Sequence, residues 1–399
     1  MALASFGQKR KFGAVAFLLA MVLCHGAMLL EMLPMLRSGY QDFTIFYTAG
    51  RLVRSGQTAD LYDLSAQYRT QQEFAPDVHI RRGALPYNHP PFEALLFLPF
   101  TFVGYPLAYA LWTVLNLAML AIALAMLKKQ FAELKKFSAL FLSLAAVGFF
   151  PIAIALIQGQ DAILFLLISV LGLVAATKGR DVAAGALLAL GLFKFHLILP
   201  LLLVVAVKKP RVLIGFAPVA LLLAGTSVAM VGWHGAADYV RFVLQLERRG
   251  AGAVVSDMPN LRGLIANLAS ARIPSPWIAV LTLAISLAVM VIALRRARKI
   301  DSIPQLFALA TLTTILVSYH ALPYDLSLLF PSSLFLFAAS DQPETDRHRL
   351  DPWLLALLFL TPLYVLLWLH WNQFSWYVLV LIALLWRVGR GFLEEQIAV

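Results

Sequence analysis

Long apolar runs alternate with short polar segments along most of this 399-residue chain. An apolar run of about 20 residues makes a helix long enough to cross the hydrocarbon core of a bilayer. The apolar segments cover residues 14–36, 92–103, 107–127, 137–157, 162–177, 182–207, 212–233, 277–294, 304–319, 326–339, 353–371 and 374–386. The pattern predicts an all-α, polytopic membrane protein of one domain, residues 1–399, with about twelve transmembrane helices.

The basic residues give this arrangement an orientation. Lys9, Arg10 and Lys11 precede the first apolar segment, and short loops rich in Lys and Arg remain in the cytoplasm. The first apolar run is longer than the core of a cleavable signal peptide, so it is interpreted as an uncleaved span. Two long polar stretches, about 38–91 and 234–276, then form external loops.

Two apolar segments do not fit simple spans. Residues 92–103 are too few to cross a membrane and are interpreted as an interfacial or re-entrant piece. Residues 182–207 carry Lys194 near their centre and basic residues on both flanks. The segment is either a hairpin of two short helices meeting near Lys194, or one span with a buried lysine that reverses the orientation of everything after it. We favour the hairpin, because the later basic loops then lie in the cytoplasm.

Composition agrees with the membrane assignment. The chain is 61% hydrophobic and 13% charged, with a mean hydropathy of +0.81, whereas soluble domains carry about 25% charged residues. The net charge of +11 fits cytoplasmic loops better than nucleic-acid binding. The single cysteine, Cys24, excludes a disulfide within the chain. Neither a P-loop nor a G-x-G-x-x-G motif is present, so a soluble nucleotide sugar is not an obvious substrate.

The stretch from Tyr40 to Arg51 is the strongest candidate for chemistry. Apolar residues at helical spacing after Asp42 predict a short amphipathic helix, which Gly56 would end. This spacing places the Asp42 carboxylate at the membrane surface, where it could act as a general base toward a hydroxyl. The alternative is that Asp42 serves only as the N-cap of that helix.

Ionisable residues within apolar segments are candidates for function by default. Lys194 and His196 lie in such a segment, and His320 and Tyr324 lie at the external end of another. A lysine there could hold a phosphate, or it could extend its side chain to the membrane surface. His320 could donate to a phosphate oxygen, or it could be a hydrogen-bonded structural histidine.

The external segments supply weaker candidates. Arg262 is the best anion-binding residue of the second external loop, whereas Arg248 and Arg249 are more typical of a face that binds lipid headgroups. Gln160 lies in a polar turn in which Asp161 could cap the next helix, and His89 precedes a rigid Pro-Pro pair.

No cofactor is expected from these patterns, and no metal site is expected either. The external carboxylates Asp42, Asp60, Asp63 and Asp77 show no known ligand spacing, although a pair could meet in space.

The order of these motifs resembles glycosyltransferase family 87, the polyprenol-phosphate-mannose-dependent mannosyltransferases of the GT-C superfamily. The resemblance rests on Asp-Phe-x-x-Phe-Tyr-x-Ala-Gly from Asp42, Leu61-Tyr62-Asp63, Tyr87-x-His-Pro-Pro before Pro99, Gly159-Gln160-Asp161, the segment from Gly185 to Lys194, Arg262-Gly263, and His320. The chain departs from the family pattern at Phe195-His196, where a proline would be expected.

The resemblance implies a GT-C-like fold and an inverting transfer of a sugar, mannose in the family, from a polyprenyl phosphate to a hydroxyl of a glycolipid or glycan. Asp42 would be the general base, and Lys194, His196, Arg262 and His320 would hold the phosphate, with His89, Gln160 and Tyr324 as weaker substrate contacts. The implied partners are the lipid-linked donor, the acceptor and membrane lipids. The implied location is a bacterial inner membrane with the site facing outward.

Two other classes of protein remain open from the sequence. A transporter or flippase of a lipid-linked or anionic solute would also use a helix broken within the membrane. A structural subunit of an envelope-assembly complex would need Asp42 only for stability.

Overall fold

The computed structural model describes residues 2–76, 84–248, 254–269, 272–340 and 352–394, and within these ranges it contains helices and no strands. The α-helices are α1 (Ala2–Ser38), α2 (Phe43–Arg54), α3 (Leu64–Phe74), α4 (Pro91–Phe97), α5 (Tyr105–Gln130), α6 (Ala132–Lys135), α7 (Ala139–Val147), α8 (Phe150–Gln158), α9 (Ala162–Thr177), α10 (Asp181–Ala189), α11 (Phe195–Ala206), α12 (Val212–Arg248), α13 (Leu261–Ala269), α14 (Ser275–Ala297), α15 (Ile303–Val317), α16 (Phe330–Ser340), α17 (Pro352–Phe359), α18 (Thr361–Tyr364) and α19 (Val378–Glu394). Short 3₁₀ segments continue several of them, notably Leu98–Phe102, Leu190–Lys194 and Pro323–Leu329.

The all-α polytopic class is confirmed, but fewer helices than predicted are long enough to span. Among the described residues, five helical segments have the length and composition of a span, or up to seven if each of two bent pairs is one span. One of the five is the segment 181–206, which folds as a hairpin. Five other apolar helices have only 10–17 residues and are too short to span by themselves. The number of helices of spanning length is therefore lower than the predicted twelve. Several of these shorter helices, such as α15, are buried by protein along most of their length. A helix surrounded by protein need not match the hydrocarbon thickness, because it is not in contact with lipid.

The segment 181–206 is a hairpin, as the sequence suggested. By length alone its 26 residues could cross a membrane, but its ends meet, since Lys209 Nζ lies 3.3 Å from Asp181 Oδ1. A straight helix would hold those ends about 39 Å apart, far more than the three residues after Ala206 can bridge. The chain reverses around Lys194, whose φ of −111° and ψ of 58° are not helical. Lys194 therefore lies at the tip.

Ion pairs and side-chain contacts gather the predicted cytoplasmic loops at one end of the bundle. Besides Lys209–Asp181, Lys208 pairs with Asp301 at 2.9 Å, and Lys136 Nζ donates to the carbonyl of Ala338. The side chain of Lys208 is also partly exposed to solvent. The polar loops with the candidate site residues lie at the other ends of these helices.

The first external loop folds over the bundle instead of lying on a lipid surface. The predicted helix is α2, which ends at Ser55 before Gly56 (φ +74°). It was expected to bury one face, but nine of its twelve residues are buried. Helices α3 and α4 and the segment Leu98–Phe102 pack around it, so even Thr44 and Thr48, on its predicted polar side, have no access to solvent.

Two glycines let the hairpin pack tightly against α12. A Cβ on Gly185 would lie 1.8 Å from the carbonyl oxygen of Val212, and one on Gly215 would lie 1.8 Å from that of Val182. The helices therefore touch backbone to backbone, in antiparallel order. No side chain larger than hydrogen fits at either position without moving a helix.

We predict that Gly215→Ala lowers the stability of the protein by about 1–3 kcal/mol, because it overpacks this contact. The matched control is Gly225→Ala in the same helix, where a new Cβ meets nothing within 4 Å and a better helix former should leave stability unchanged or slightly raised. Thermal unfolding in detergent, followed by tryptophan fluorescence, measures both. Equal melting temperatures for the two variants would contradict the close packing.

Candidate active site

The candidate residues gather where several helices begin or end. The convergent elements are the start of α2, the loop before α4, the turn between α8 and α9, the hairpin tip before α11, and the loop between α15 and α16. Helix ends leave backbone groups unpaired and are common places for polar side chains. The site is thus assembled from segments more than 250 residues apart in sequence.

Asp42 occupies the N-cap position of α2, but its side chain makes no capping hydrogen bond. Its Oδ2 instead accepts a hydrogen bond of 2.7 Å from Nε2 of the buried Gln160. Its backbone N–H donates to Gln158 Oε1 at 3.2 Å. Asp42 therefore stands at the N-cap position, but its side chain does not cap the helix. Its half-buried carboxylate is oriented by Gln160 in the turn after α8.

That turn has a backbone shape that only glycine adopts easily. Gly159 has φ +62° and ends α8 in the left-handed region, and a Cβ there would lie 2.7 Å from Cβ of Phe43. Trp112 Nε1 donates to the carbonyl of Gly159 at 2.9 Å. The turn is therefore fixed against α2 and α5, which holds Gln160 beside Asp42.

Lys194 lies between two carboxylates. Its Nζ is 2.8 Å from Asp161 Oδ1 and 2.9 Å from Asp325 Oδ1, and the residue is 3% exposed. A buried ammonium needs such partners to offset the loss of hydration, so the proposal that Lys194 extends to the membrane surface is wrong. Its charge lies 5.2 Å from the ring centre of Tyr324. Since an ammonium has three N–H groups, two ion pairs leave one for another ligand.

The two partners of Lys194 are held in different ways. Asp161 was expected to cap α9, but its side chain makes no capping hydrogen bond. Burial would raise the pKa of Asp161, but the charges of Lys194 and His89 outweigh burial and the pKa is lowered. Asp325 also accepts, through Oδ2, a 2.9 Å hydrogen bond from the backbone N–H of Leu322. Both carboxylates therefore join the hairpin tip to the α8–α9 turn and the α15–α16 loop at the same end of the bundle.

A second cluster surrounds His89. Its Nδ1 lies 2.7 Å from Glu93 Oε2 and 3.7 Å from Asp161 Oδ2. Burial of the ring lowers the pKa of His89, but the neighbouring carboxylates of Glu93 and Asp161 outweigh it and the pKa is raised overall. Glu93, 1% exposed, was not identified from the sequence. The signal was available, since it is a lone carboxylate in the short apolar run 92–103.

The remaining candidates for phosphate binding meet beside the α15–α16 loop. The rings of His196 and His320 lie 5.7 Å apart, centre to centre. The guanidinium of Arg262 lies 3.9 Å from the ring centre of Tyr319 and donates to the Tyr319 carbonyl at 3.1 Å. Two imidazoles and a guanidinium therefore flank residues 319–320, where they could bind an anion together.

Asn260 fixes the segment that carries Arg262. Its Nδ2 donates to the carbonyl of Ser318 at 2.9 Å, and its Oδ1 accepts from the backbone N–H of Gly263 at 2.8 Å. It is fully buried. The second external loop is thereby joined to the α15–α16 loop at the position where the sequence placed an anion-binding motif.

Other sequence candidates lie elsewhere. Asp63 caps α3 through hydrogen bonds to the N–H groups of Ser65 and Ala66, and Asp60 is exposed. Asp77 and Arg249 lie outside the described residues.

The comparison with protein families agrees with the resemblance seen in the motifs. The family model of glycosyltransferase family 87 matches residues 87–323, more than half of the chain, and the chain belongs to this family. No curated protein and no solved structure matches it. With its apolar helices, the protein is therefore an integral membrane glycosyltransferase. The matched range includes His89, Glu93, Gln160, Asp161, Lys194, His196, Arg262 and His320, whereas Asp42, Tyr324 and Asp325 lie outside it.

We predict that Lys194→Met destabilises the protein by about 3–5 kcal/mol, because it leaves two buried carboxylates without their cation. The control is Lys208→Met, which removes a pair whose aspartate is 96% exposed and should cost no more than about 1 kcal/mol. Thermal unfolding in detergent at neutral pH compares them. Equal losses would mean that the buried ion pairs do not hold the tip.

Proposed function

We propose that the protein transfers a sugar, mannose, from a polyprenyl-phosphate donor to a hydroxyl of a glycolipid or glycan acceptor, with inversion at the anomeric carbon. The reaction takes place at the outer face of a bacterial inner membrane. The observation that carries the proposal is the half-buried Asp42 carboxylate, oriented by Gln160 and assembled in one cluster of helix ends with the hydrogen-bond donors His196, Arg262 and His320.

Asp42 is the general base of this proposal. The acceptor hydroxyl must lose a proton as it attacks, and a positioned carboxylate can take it. Gln160 uses one oxygen of that carboxylate, which fixes the direction of the other. Asp161 and Asp325 are less suited to this role, since both are already paired with Lys194.

The leaving group is a polyprenyl phosphate, whose charge rises as the glycosidic bond breaks. Arg262, His196 and His320 offer donors for its oxygens, and Lys194 adds the N–H that its two ion pairs leave. Fixed donors of this kind stabilise charge that develops in a transition state, often by several kcal/mol. A phosphate needs no proton to leave, so a single carboxylate is sufficient. His89 and Tyr324 are proposed as further contacts to the sugar.

An apolar cavity beside the site suits a lipid-linked donor. It has a volume of about 290 Å³ and lies between the loop before α4, the hairpin and α12, with Pro90, Phe92, Leu192 and Leu223 among its walls. Pro90, in the wall of this cavity, directly follows His89 in the sequence. A prenyl chain held there would keep its phosphate near the polar cluster, without any nucleotide-binding motif. The transporter hypothesis is not favoured, because the chain belongs to a glycosyltransferase family.

We predict that Asp42→Asn abolishes transfer while the protein still folds and binds donor, because the amide cannot accept the proton. The assay uses purified protein, polyprenyl-phosphate-mannose and a panel of glycolipid acceptors. Asp60→Asn, an exposed change in the same external loop, is the control and should keep full activity. Transfer by both variants would remove Asp42 from the chemistry, and a wild type inactive on every acceptor would argue against the proposed donor.

Arg262→Gln should raise the KM for the donor and lower kcat, because one phosphate-binding cation is lost from both ground and transition states. We expect a fall in kcat/KM of about 10²-fold or more, in line with the loss of one charge-stabilising donor. Arg241→Gln is the matched control, since Arg241 lies on α12, 71% exposed and paired only with Asp238 among the described residues. An unchanged donor KM in Arg262→Gln would refute its contact with the phosphate.

A further inference from the structure

We propose that His89, Glu93 and Asp161 form a binding site for one divalent transition-metal ion. One ligand atom from each residue lies within 4.8 Å of the other two. A metal ion with bond lengths near 2 Å holds its ligands at separations of about 3 Å, and His89 Nδ1 lies 2.7 Å from the Glu93 carboxylate and 3.7 Å from that of Asp161. Small side-chain movements therefore suffice to surround an ion.

The candidate ligand atoms are buried and face one another. His89 Nδ1 lies 2.7 Å from Glu93 Oε2 and 3.7 Å from Asp161 Oδ2. These atoms and Glu93 Oε1 are inaccessible to solvent. Buried polar and charged groups need partners, and one cation would contact the imidazole nitrogen and both carboxylates together.

The charges point the same way. Glu93, Asp161 and Asp325 bring three carboxylates into one buried region, where they face the ammonium of Lys194 and the imidazole of His89. One oxygen of Glu93 and one of Asp161 lie within 4.8 Å of each other, and a cation between two such carboxylates would offset their repulsion. Asp161 turns Oδ1 toward Lys194 and Oδ2 toward His89, so it can join both.

The ligands are held in place before any ion binds. Pro90 and Pro91 start α4 directly after His89, which places His89 and Glu93 one turn apart. The backbone carbonyl of His89 accepts a 2.8 Å hydrogen bond from the Tyr62 hydroxyl. The imidazole ring of His89 packs against the rings of Phe46 and Tyr87. Three protein ligands also leave a coordination position open for water or substrate, as in catalytic metal sites.

The donor set indicates the class of ion. One imidazole nitrogen with two carboxylates suits Mn²⁺ or Zn²⁺ better than Mg²⁺ or Ca²⁺, which prefer oxygen ligands. The site was not predicted from the sequence, because Asp161 comes from a distant turn and the pair His89 and Glu93 matches no motif. The proposal is independent of the donor and acceptor assigned above.

The test is metal binding by the full-length, tag-free protein, purified in detergent and treated with a chelator. Mn²⁺ is titrated in, and free Mn²⁺ is followed by electron paramagnetic resonance. Spin-echo modulation then reports whether a nitrogen is bound. We expect one Mn²⁺ per chain, a coupling from one imidazole nitrogen, and displacement by Zn²⁺, which binds nitrogen and oxygen sites more tightly.

Glu93→Gln and His89→Gln should each weaken Mn²⁺ binding by more than about tenfold, since even changes to outer-shell groups cost about 10- to 100-fold. Glu73→Gln and His234→Gln are the controls; both side chains are exposed and outside the cluster, and neither should alter binding. No stoichiometric binding of Mn²⁺ or Zn²⁺ by the wild type, or binding without nitrogen coupling, would overturn the proposal. So would unchanged affinity in both ligand variants. The nitrogen signal is read on the wild type, so the conclusion does not depend on how the variants fold.

Discussion

The ion pairs of Lys194 with Asp161 and Asp325 hold the structure's centre together. A lysine 3% exposed in an apolar hairpin is tolerated only because two carboxylates replace its lost water. Those carboxylates come from the α8–α9 turn and the α15–α16 loop. The position of the hairpin tip is therefore set by charge, whereas its two arms are set by apolar packing and by the close contact of Gly185 with α12.

This arrangement explains why the helices around the site are short. Helices such as α9 and α15 begin or end at the polar cluster, and most of their residues are buried within the protein. A helix covered in this way need not match the hydrocarbon thickness, because its surroundings are protein. The same geometry brings the first external loop down onto the bundle, which places Asp42 of α2 against the turn that carries Gln160.

The site combines two kinds of surface. Asp42, Asp161, Asp325 and Glu93 form an acidic region organised by Lys194 and His89. Arg262, His196 and His320 form a second region beside it, whose hydrogen-bond donors suit an anion. A glycosyltransferase that uses a lipid phosphate needs both, because its acceptor must lose a proton while its leaving group gains charge. A metal ion bound at the proposed site would help to neutralise the acidic region. It would leave the donors of Arg262, His196 and His320 available for the phosphate.

The sequence by itself determined the membrane class, the helix after Asp42 and the family resemblance, because these depend on local composition, spacing and motif order. It favoured a hairpin at Lys194 over a single span, and the tertiary contact between Lys209 and Asp181 decided between them. It also named most residues that meet in the site. The tertiary structure decided what those residues contact. That Lys194 faces carboxylates, that Asp42 accepts from Gln160 without capping its helix, and that Glu93 joins His89 and Asp161 all depend on contacts between distant segments. So does the number of true spans, since an apolar helix buried in protein and one facing lipid have the same hydropathy.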